Sequence, residues 1–332
     1  MDFKISSNRV QKIFNKSKDN YIAVVGDVML DKYVYGYVSR ISPEAPVQIV
    51  DVKSTDYKLG GAANVANNVK TLGSEPILIG IVGDDMEGDI YLDTMKKQSL
   101  NTDGIFKDES RPTTSKTRVI AHSQHILRID SEVKHYINGK LEDTILKFIK
   151  TNLENFESVI LQDYNKGILS KEMIHKIISF CRGAKKPIFV DPKFDNFFEY
   201  KNVTVFKPNR KEMQDALGAR IDGDDLAIEL GKKLMKLINC EWLIITRGEK
   251  GMMMFDREKT GVVVHNIPTK AIRVADVSGA GDTVISTLAV AVSGGADIKE
   301  AIIIANHAAG LVCEEVGIVP IYKKNLIEAF KK

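Results

Sequence analysis

The chain predicts an α/β fold: a doubly wound, mostly parallel sheet flanked by helices, with a small antiparallel β lid beside it. Three observations carry this. Continuous apolar runs such as 21–25 and 242–246 read as strands buried on both faces, the habit of parallel sheets. Segments with helical periodicity, roughly 12 residues long, alternate with such runs, as doubly wound sheets require. One stretch, 31–56, breaks that alternation with period-two patterning and turn residues such as Ser42-Pro43 and Pro46, which reads as antiparallel strands. A chain of 332 residues can bury a full core. We read it as one domain over 1–332, with the lid inserted at about 33–55 and 112–130.

An amphipathic helix over 7–18 precedes the first strand, which ends at Gly26-Asp27, where open α/β sheets hold their ligands. The lid strands follow, and 114–120 with 126–130 are expected to pair with them. Their outer face needs a partner, so a lid or dimer surface is expected there. Helix 61–72, strand 76–81 and helix 85–98 restore the α/β order. Helix 141–153 leads to strand 158–161, which ends at Gln162-Asp163-Tyr164. A helix from Ser170 to Arg182 precedes strand 187–190, ending at Asp191, and strand 203–206 runs into Lys207-Pro208-Asn209. Pro208 suits a helix start. Helix 226–238, strand 242–246 and an antiparallel pair, 252–255 with 262–267, come next. Helices 281–293 and 298–315 and a short terminal helix complete the order.

Composition narrows the function. The formal charge of +3 is small, with no basic tail, so nucleic acid is not an expected partner. The longest apolar runs, such as 288–292, fall far below spanning length, and the first residues lack the apolar region of a signal peptide. No membrane partner and a cytoplasmic location are therefore expected. Cys181, Cys240 and Cys313 are far apart and odd in number, and His122 and His125 have no third partner nearby. Reduced thiols and no structural zinc are expected.

The chemistry concentrates at strand and helix ends. Gly279-Ala280-Gly281-Asp282 precedes the mostly apolar run 284–292, so backbone N–H groups at a helix start can hold an anion. Asp282 beside such a nest suits general-base activation of a hydroxyl attacking a phosphoryl group; alone, the loop equally reads as a glycine-rich turn capped by aspartate. Gly60-Gly61-Ala62-Ala63-Asn64 is a second such turn, open to a polyol or to plain helix–sheet packing. Asp27 and Asp31 can accept from sugar hydroxyls. Asp163, Asp191 and Asn209 sit at strand ends in the company of Lys166, Lys193, Lys207 and Arg210. Carboxylates there can hold Mg²⁺ and lysines can neutralise phosphate. Each residue singly is explained by capping or exposure, and only their repetition along one edge favours a site. Glu212 shares a face with Asn209 if a helix opens there. The 246–251 connection fits nucleotide phosphates or a bare hairpin, and Asn306 with His307 fits an adenine pocket or a helix surface. No G-x-G-x-x-G opens the first βα unit and no Walker A sequence is present, so any phosphate site works without a P-loop.

These residues resemble the PfkB, or ribokinase-like, carbohydrate kinases over essentially the whole chain. Within that family, Gly26-Asp27-Val28-Met29-Leu30-Asp31, Ser39-Arg40-Ile41-Ser42-Pro43-Glu44-Ala45-Pro46, Gln162-Asp163-Tyr164-Asn165-Lys166-Gly167 and Phe206-Lys207-Pro208-Asn209 are similar to motifs of the kinases of D-glycero-β-D-manno-heptose 7-phosphate. The resemblance implies ATP-dependent phosphorylation of that sugar's anomeric hydroxyl. It implies Asp282 as base and Gly279, Ala280 and Gly281 as anion hole. Asp27, Asp31, Gly60, Gly61, Asn64 and Asp163 would hold the sugar. Asn209 and Glu212 would organise Mg²⁺ through water. Thr246, Gly248 and Gly251 would meet ATP phosphates, and Asn306 the base. Arg118, Arg128, Lys166 and Lys193 are unranked candidates for the sugar's distal phosphate. A monovalent cation such as K⁺ near the anion hole and a homodimer through the β lid are further implications. Longer heptose enzymes carry a nucleotidyltransferase domain for which this chain leaves no room, so a single-function kinase or a separated kinase portion is expected. A kinase of another sugar, such as ribose or fructose, and a sugar-phosphate binder without turnover are the competing readings.

Overall fold

Alternation within the first strand sets the layers. In β1 (Tyr21–Gly26), Ile22 and Val24 enter one apolar core, while Ala23 and Val25 enter the other. A strand buried on both faces needs helices on both. The computed structural model describes residues 5–122, 124–259, 261–271, 273 and 275–331; residues 1–4 of the N-terminal segment read above lie outside them. β1 lies parallel between β4 (Glu75–Gly83) and β8 (Phe156–Gln162). Beyond β8 come β9 (Ile188–Asp191), β10 (Val205–Phe206) and β11 (Trp242–Thr246), all parallel, then β12 (Met252–Glu258) and β13 (Gly261–Ile267), antiparallel. On the far side of β4 lies β5 (Ile105–Asp108). With only four residues, two half-buried, Lys107 exposed and Asp108 buried, β5 carries no alternation that the sequence could show.

One core joins the sheet to helices α1 (Ser7–Lys16), α2 (Ala62–Thr71), α8 (Ala280–Ser293) and α9 (Ile298–Cys313) through Ile13, Val65, Leu288 and Ile302. The other joins it to α4 (Gly139–Asn152), α5 (Lys171–Gly183) and α7 (Asp224–Ile238) through Ile145, Ile177 and Leu234. Helix α8 is buried at every position from Asp282 to Ala291, as its all-round apolar sequence demands. Its first turn is thereby fixed against the edge of the sheet.

The lid corrects the expectation in two respects. Strands β2 (Val28–Ile41) and β3 (Gln48–Gly61) are antiparallel, as are β6 (Ser115–Ala121) and β7 (Gln124–Ser131). The central pair β2–β6, however, is parallel, with Asp31 opposite Lys116 and Tyr33 opposite Arg118. The lid is mixed because the chain passes through α2, β4, α3 (Met86–Lys97) and β5 before β6, a crossover long enough to re-enter in the same direction. Its strands also extend beyond 33–55, reaching from Val28 to Gly61 and so meeting the main sheet directly. Cys181 and Cys240 are buried and Cys313 half-buried, all three as free thiols. Among the described residues no helix is long and apolar enough to cross a membrane.

Candidate active site

Helix α8 starts at Gly279, whose φ of 78° is left-handed; a Cβ there would come within 3.2 Å of Asn64 Nδ2, so glycine serves both backbone and clearance. Asp282 lies in the first turn, 8% exposed. Its Oδ2 accepts from Asn64 Nδ2 at 2.7 Å, and its Oδ1 accepts from Tyr164 Oη at 2.9 Å and Gln162 Nε2 at 3.2 Å. Burial pushes the Asp282 carboxyl up to about 6, against the Asn64 hydrogen bond and with help from the charge of Asp191. Burial and Asp282 push the Tyr164 phenol well above its ordinary range, so it stays a donor.

The donors come from strand ends set side by side. Gly26 pairs with Gln162, and Gln162 with Asp191, while Lys207 directly follows β10 and donates its backbone N–H to Val190. Lys207 Nζ lies 3.0 Å from Asp191 Oδ2. A Cβ on Gly281 would stand 3.5 Å from that ammonium and 3.7 Å from Asp191 Oδ2, so the pair abuts the start of α8. Gln162 and Tyr164 reach Asp282, but Asp163 between them does not. Its Oδ2 accepts from Tyr200 Oη at 2.6 Å and its Oδ1 from Asn165 N at 2.8 Å. Burial, reinforced by Asp27, raises its carboxyl to about 6. Side chains alternate along a strand, so Asp163 turns away from Asp282 and toward Tyr200.

A cleft of about 430 Å³ runs away from Asp282. Ala280 and Gly281 stand at one end, and Asn209, Glu212, Thr246, Gly248, Gly251 and Asn306 line it. Asn209 caps α6 (Arg210–Leu217) in a reciprocal capping box with Glu212, 2.8 Å from side chain to backbone and 2.7 Å in return. Glu212 also pairs with Lys193. Burial works against the Lys193 ammonium, yet Glu212, Asp191 and Asp282 raise its pKa. Lys193 lines this cleft, 5.7 Å from the Tyr164 ring centroid. A Cβ on Gly251, at φ 74°, would lie 2.1 Å from Ile267 O. Asn306 Nδ2 donates to Pro268 O at 2.7 Å.

The other side of Asp282 lies under the lid. The Asp27 carboxylate accepts from the backbone N–H groups of Tyr164 (2.8 Å), Lys166 (3.0 Å) and Ile168 (3.3 Å); burial still raises its pKa against these bonds. Asp31 pairs with Arg118, whose guanidinium lies 5.2 Å from the Tyr33 ring centroid. A Cβ on Gly60 would stand 2.4 Å from Asp31 Oδ2, and one on Gly61 2.4 Å from Asp27 O, so the glycine pair lets both aspartates close in. Lys166 and Lys116 share Glu132, at 2.7 and 3.3 Å. Arg128 sits exposed on the edge strand β7, bound to Asp130 at 2.7 Å. Gln162, Tyr164, Asp191 and Lys207 were not singled out for Asp282's surroundings; strand parity and strand-end adjacency are the signals that find them.

A mostly parallel sheet with a β lid, and a buried carboxylate at a glycine-rich helix start, together define a ribokinase-like sugar kinase architecture. Residues 19–324 match the model of the pfkB family of carbohydrate kinases, and the chain belongs to that family. The bifunctional protein HldE of Pelobacter propionicus is 38% identical over 320 residues, 96% of this chain and 65% of that protein. The chain spans less than two thirds of the length of such curated relatives. Among solved structures, phosphofructokinase-2 from Escherichia coli in complex with potassium superposes with a TM-score of 0.75 at 15% identity, covering 95% of this chain and 98% of that one. Ribokinase from Arabidopsis thaliana, complexed with ribose and ATP, gives 0.73 at 19% identity, covering 95% and 99%. At these identities the two structures share the fold.

Proposed function

We propose that this chain transfers the γ-phosphoryl group of ATP to the anomeric hydroxyl of D-glycero-β-D-manno-heptose 7-phosphate, giving the 1,7-bisphosphate and ADP. The observation that carries the kinase reading is the position of Asp282, buried between a cleft on one side and Asp27 on the other, with three donors keeping its carboxylate oriented. Asp282 takes the proton of the attacking hydroxyl as the new O–P bond forms and the bond to ADP breaks. The first-turn amides at 279–281 receive the charge on the phosphoryl oxygens. Asp27, Asn64 and the Gly60-Gly61 turn hold the sugar.

Glu212 fits a magnesium role through water: it lines the cleft, and its partners, Asn209 N and Lys193, leave lone pairs on both oxygens. No cluster of three or more His, Cys, Asp or Glu able to hold a metal directly occurs among the described residues. The ion supplies charge neutralisation for the phosphates. A monovalent cation held by backbone carbonyls near the anion hole belongs to the same reading, as does one kinase unit whose lid dimerises. Support for the latter is the apolar exposure of Ile41, Val52, Leu127 and Ile129 on the lid.

The choice of heptose rests on the motif resemblance and is supported by two cations beside the aspartates that this reading gives to the sugar, Arg118 at Asp31 and Lys166 at Asp27. An ADP-release assay over phosphorylated and free sugars tests it. Heptose 7-phosphate is expected to exceed free heptose, ribose and fructose 6-phosphate in kcat/KM by at least about tenfold. Better turnover of any other sugar replaces the heptose assignment, and sugar-independent ADP release throughout removes the kinase reading.

A further inference from the structure

Lys207 is 2% exposed, yet it lines the cleft beside the start of α8. An ammonium carries three N–H donors, and Asp191 is its one partner at ion-pair distance among the described residues; Asp282 feels its charge from farther away. A desolvated cation with unfilled donors is costly unless acceptors reach it. The open direction is the cleft, at Gly281, beside the start of α8, where the macrodipole is positive. Two positive features thus converge where no protein oxygen serves them both. The negative groups nearby are already committed: Asp191 to Lys207, and Asp282 to Asn64, Tyr164 and Gln162. Gln162 Nε2 spans the two carboxylates, 3.3 Å from Asp191 Oδ2 and 3.2 Å from Asp282 Oδ1.

We propose that Lys207 is a catalytic residue that donates to a non-bridging oxygen of the phosphoryl group being transferred, and that Asp191 and Gln162 are positioning residues tying this cation to the base. The assignment rests on the kinase reading above. As the sugar oxygen bonds to the γ-phosphorus, the bond to ADP breaks and the proton passes to Asp282. Lys207 meets the charge on the phosphoryl oxygens throughout and neither gains nor loses a proton.

Calorimetry with Mg²⁺ and either ADP or the imido analogue of ATP isolates this contact without any sugar. In Lys207→Met the Kd of the imido analogue is expected to rise about tenfold or more, the range of a charge-assisted hydrogen bond, while the Kd of ADP stays within about twofold. Equal change for both nucleotides, or none, overturns the proposal. The double variant Lys207→Met/Asp191→Asn removes the stranded carboxylate and carries the same test should the single variant not fold. It is expected to keep the loss. Recovery of wild-type affinity for the imido analogue would mean that Lys207 only neutralises Asp191, and would overturn the catalytic role. In turnover, Lys207→Met is expected to lower kcat by ~10²–10³ with the sugar KM nearly unchanged. A failure of the kinase reading shows up separately, as wild-type protein that releases no ADP in response to sugar yet still prefers the imido analogue through Lys207.

Discussion

The two halves of the site lie at the same edge of the same sheet, but their polar groups are in opposite states. On the cleft side, Lys207 has one ion-pair partner among the described residues for three donors, beside the first turn of α8. On the lid side the charges have already found one another: Asp31 holds Arg118, Glu132 holds Lys166 and Lys116, and Asp27 is filled by three backbone N–H groups. A ligand entering the first half satisfies groups that lack partners. A ligand entering the second must compete with partners in place, so only one that offers equivalent oxygens or charge in the right places gains by it. The first arrangement favours binding and the second favours discrimination.

The largest effect should come where the halves meet. Asp282→Asn is expected to lower kcat by ~10²–10⁴ with sugar and ATP binding largely retained, measured by steady-state kinetics and calorimetry; near-normal turnover would remove the base assignment. Asp27→Ala should separate the halves. It is expected to raise the sugar KM by ~10–100-fold and leave the Kd of Mg-ADP unchanged, and a matching loss of nucleotide affinity would show that the two sides are not distinct.

The pH profile sharpens the boundary. Asp282 acts only when ionised, and in the ligand-free protein burial pushes its carboxyl up to about 6, so kcat/KM should fall about tenfold per unit below that value and level off above it. The Tyr164 hydrogen bond lowers the Asp282 pKa; Tyr164→Phe is therefore expected to move the acidic limb upward. A limb that stays in place would detach Tyr164 from the base. The smallest effect is assigned to Arg128→Ala, which should change kcat/KM for the sugar by less than about twofold, since an exposed ion pair is worth little. A tenfold loss would return Arg128 to the site, by way of a lid arrangement other than this one.

Much of this was readable from residue order. The strand–helix alternation, the Gly279–Asp282 loop, the Gly60-Gly61 turn and the Asn209–Glu212 capping pattern are local, and local rules found them. A strand end alone does not tell which way each side chain turns: Gln162 and Tyr164 reach Asp282, while Asp163 turns to Tyr200. The parallel pairing of β2 with β6, and with it the Asp31–Arg118 pair, joins residues 87 positions apart. No periodicity within either segment encodes that register. The surroundings of Lys193 are hidden for a similar reason: its partner Glu212 belongs to another strand–helix unit.

One junction couples the roof of the site to its reacting group. Strand β3 ends at Gly61 and helix α2 begins at Ala62, whose N–H is held by Asp27 O at 2.9 Å. Two residues on, Asn64 grips Asp282. The lid strand and the amide that orients the base are thus one rigid lever with its fulcrum at the Asp27 carbonyl. With no loop between them to absorb a displacement, a tilt of the lid strand is passed on to the amide that holds the carboxylate.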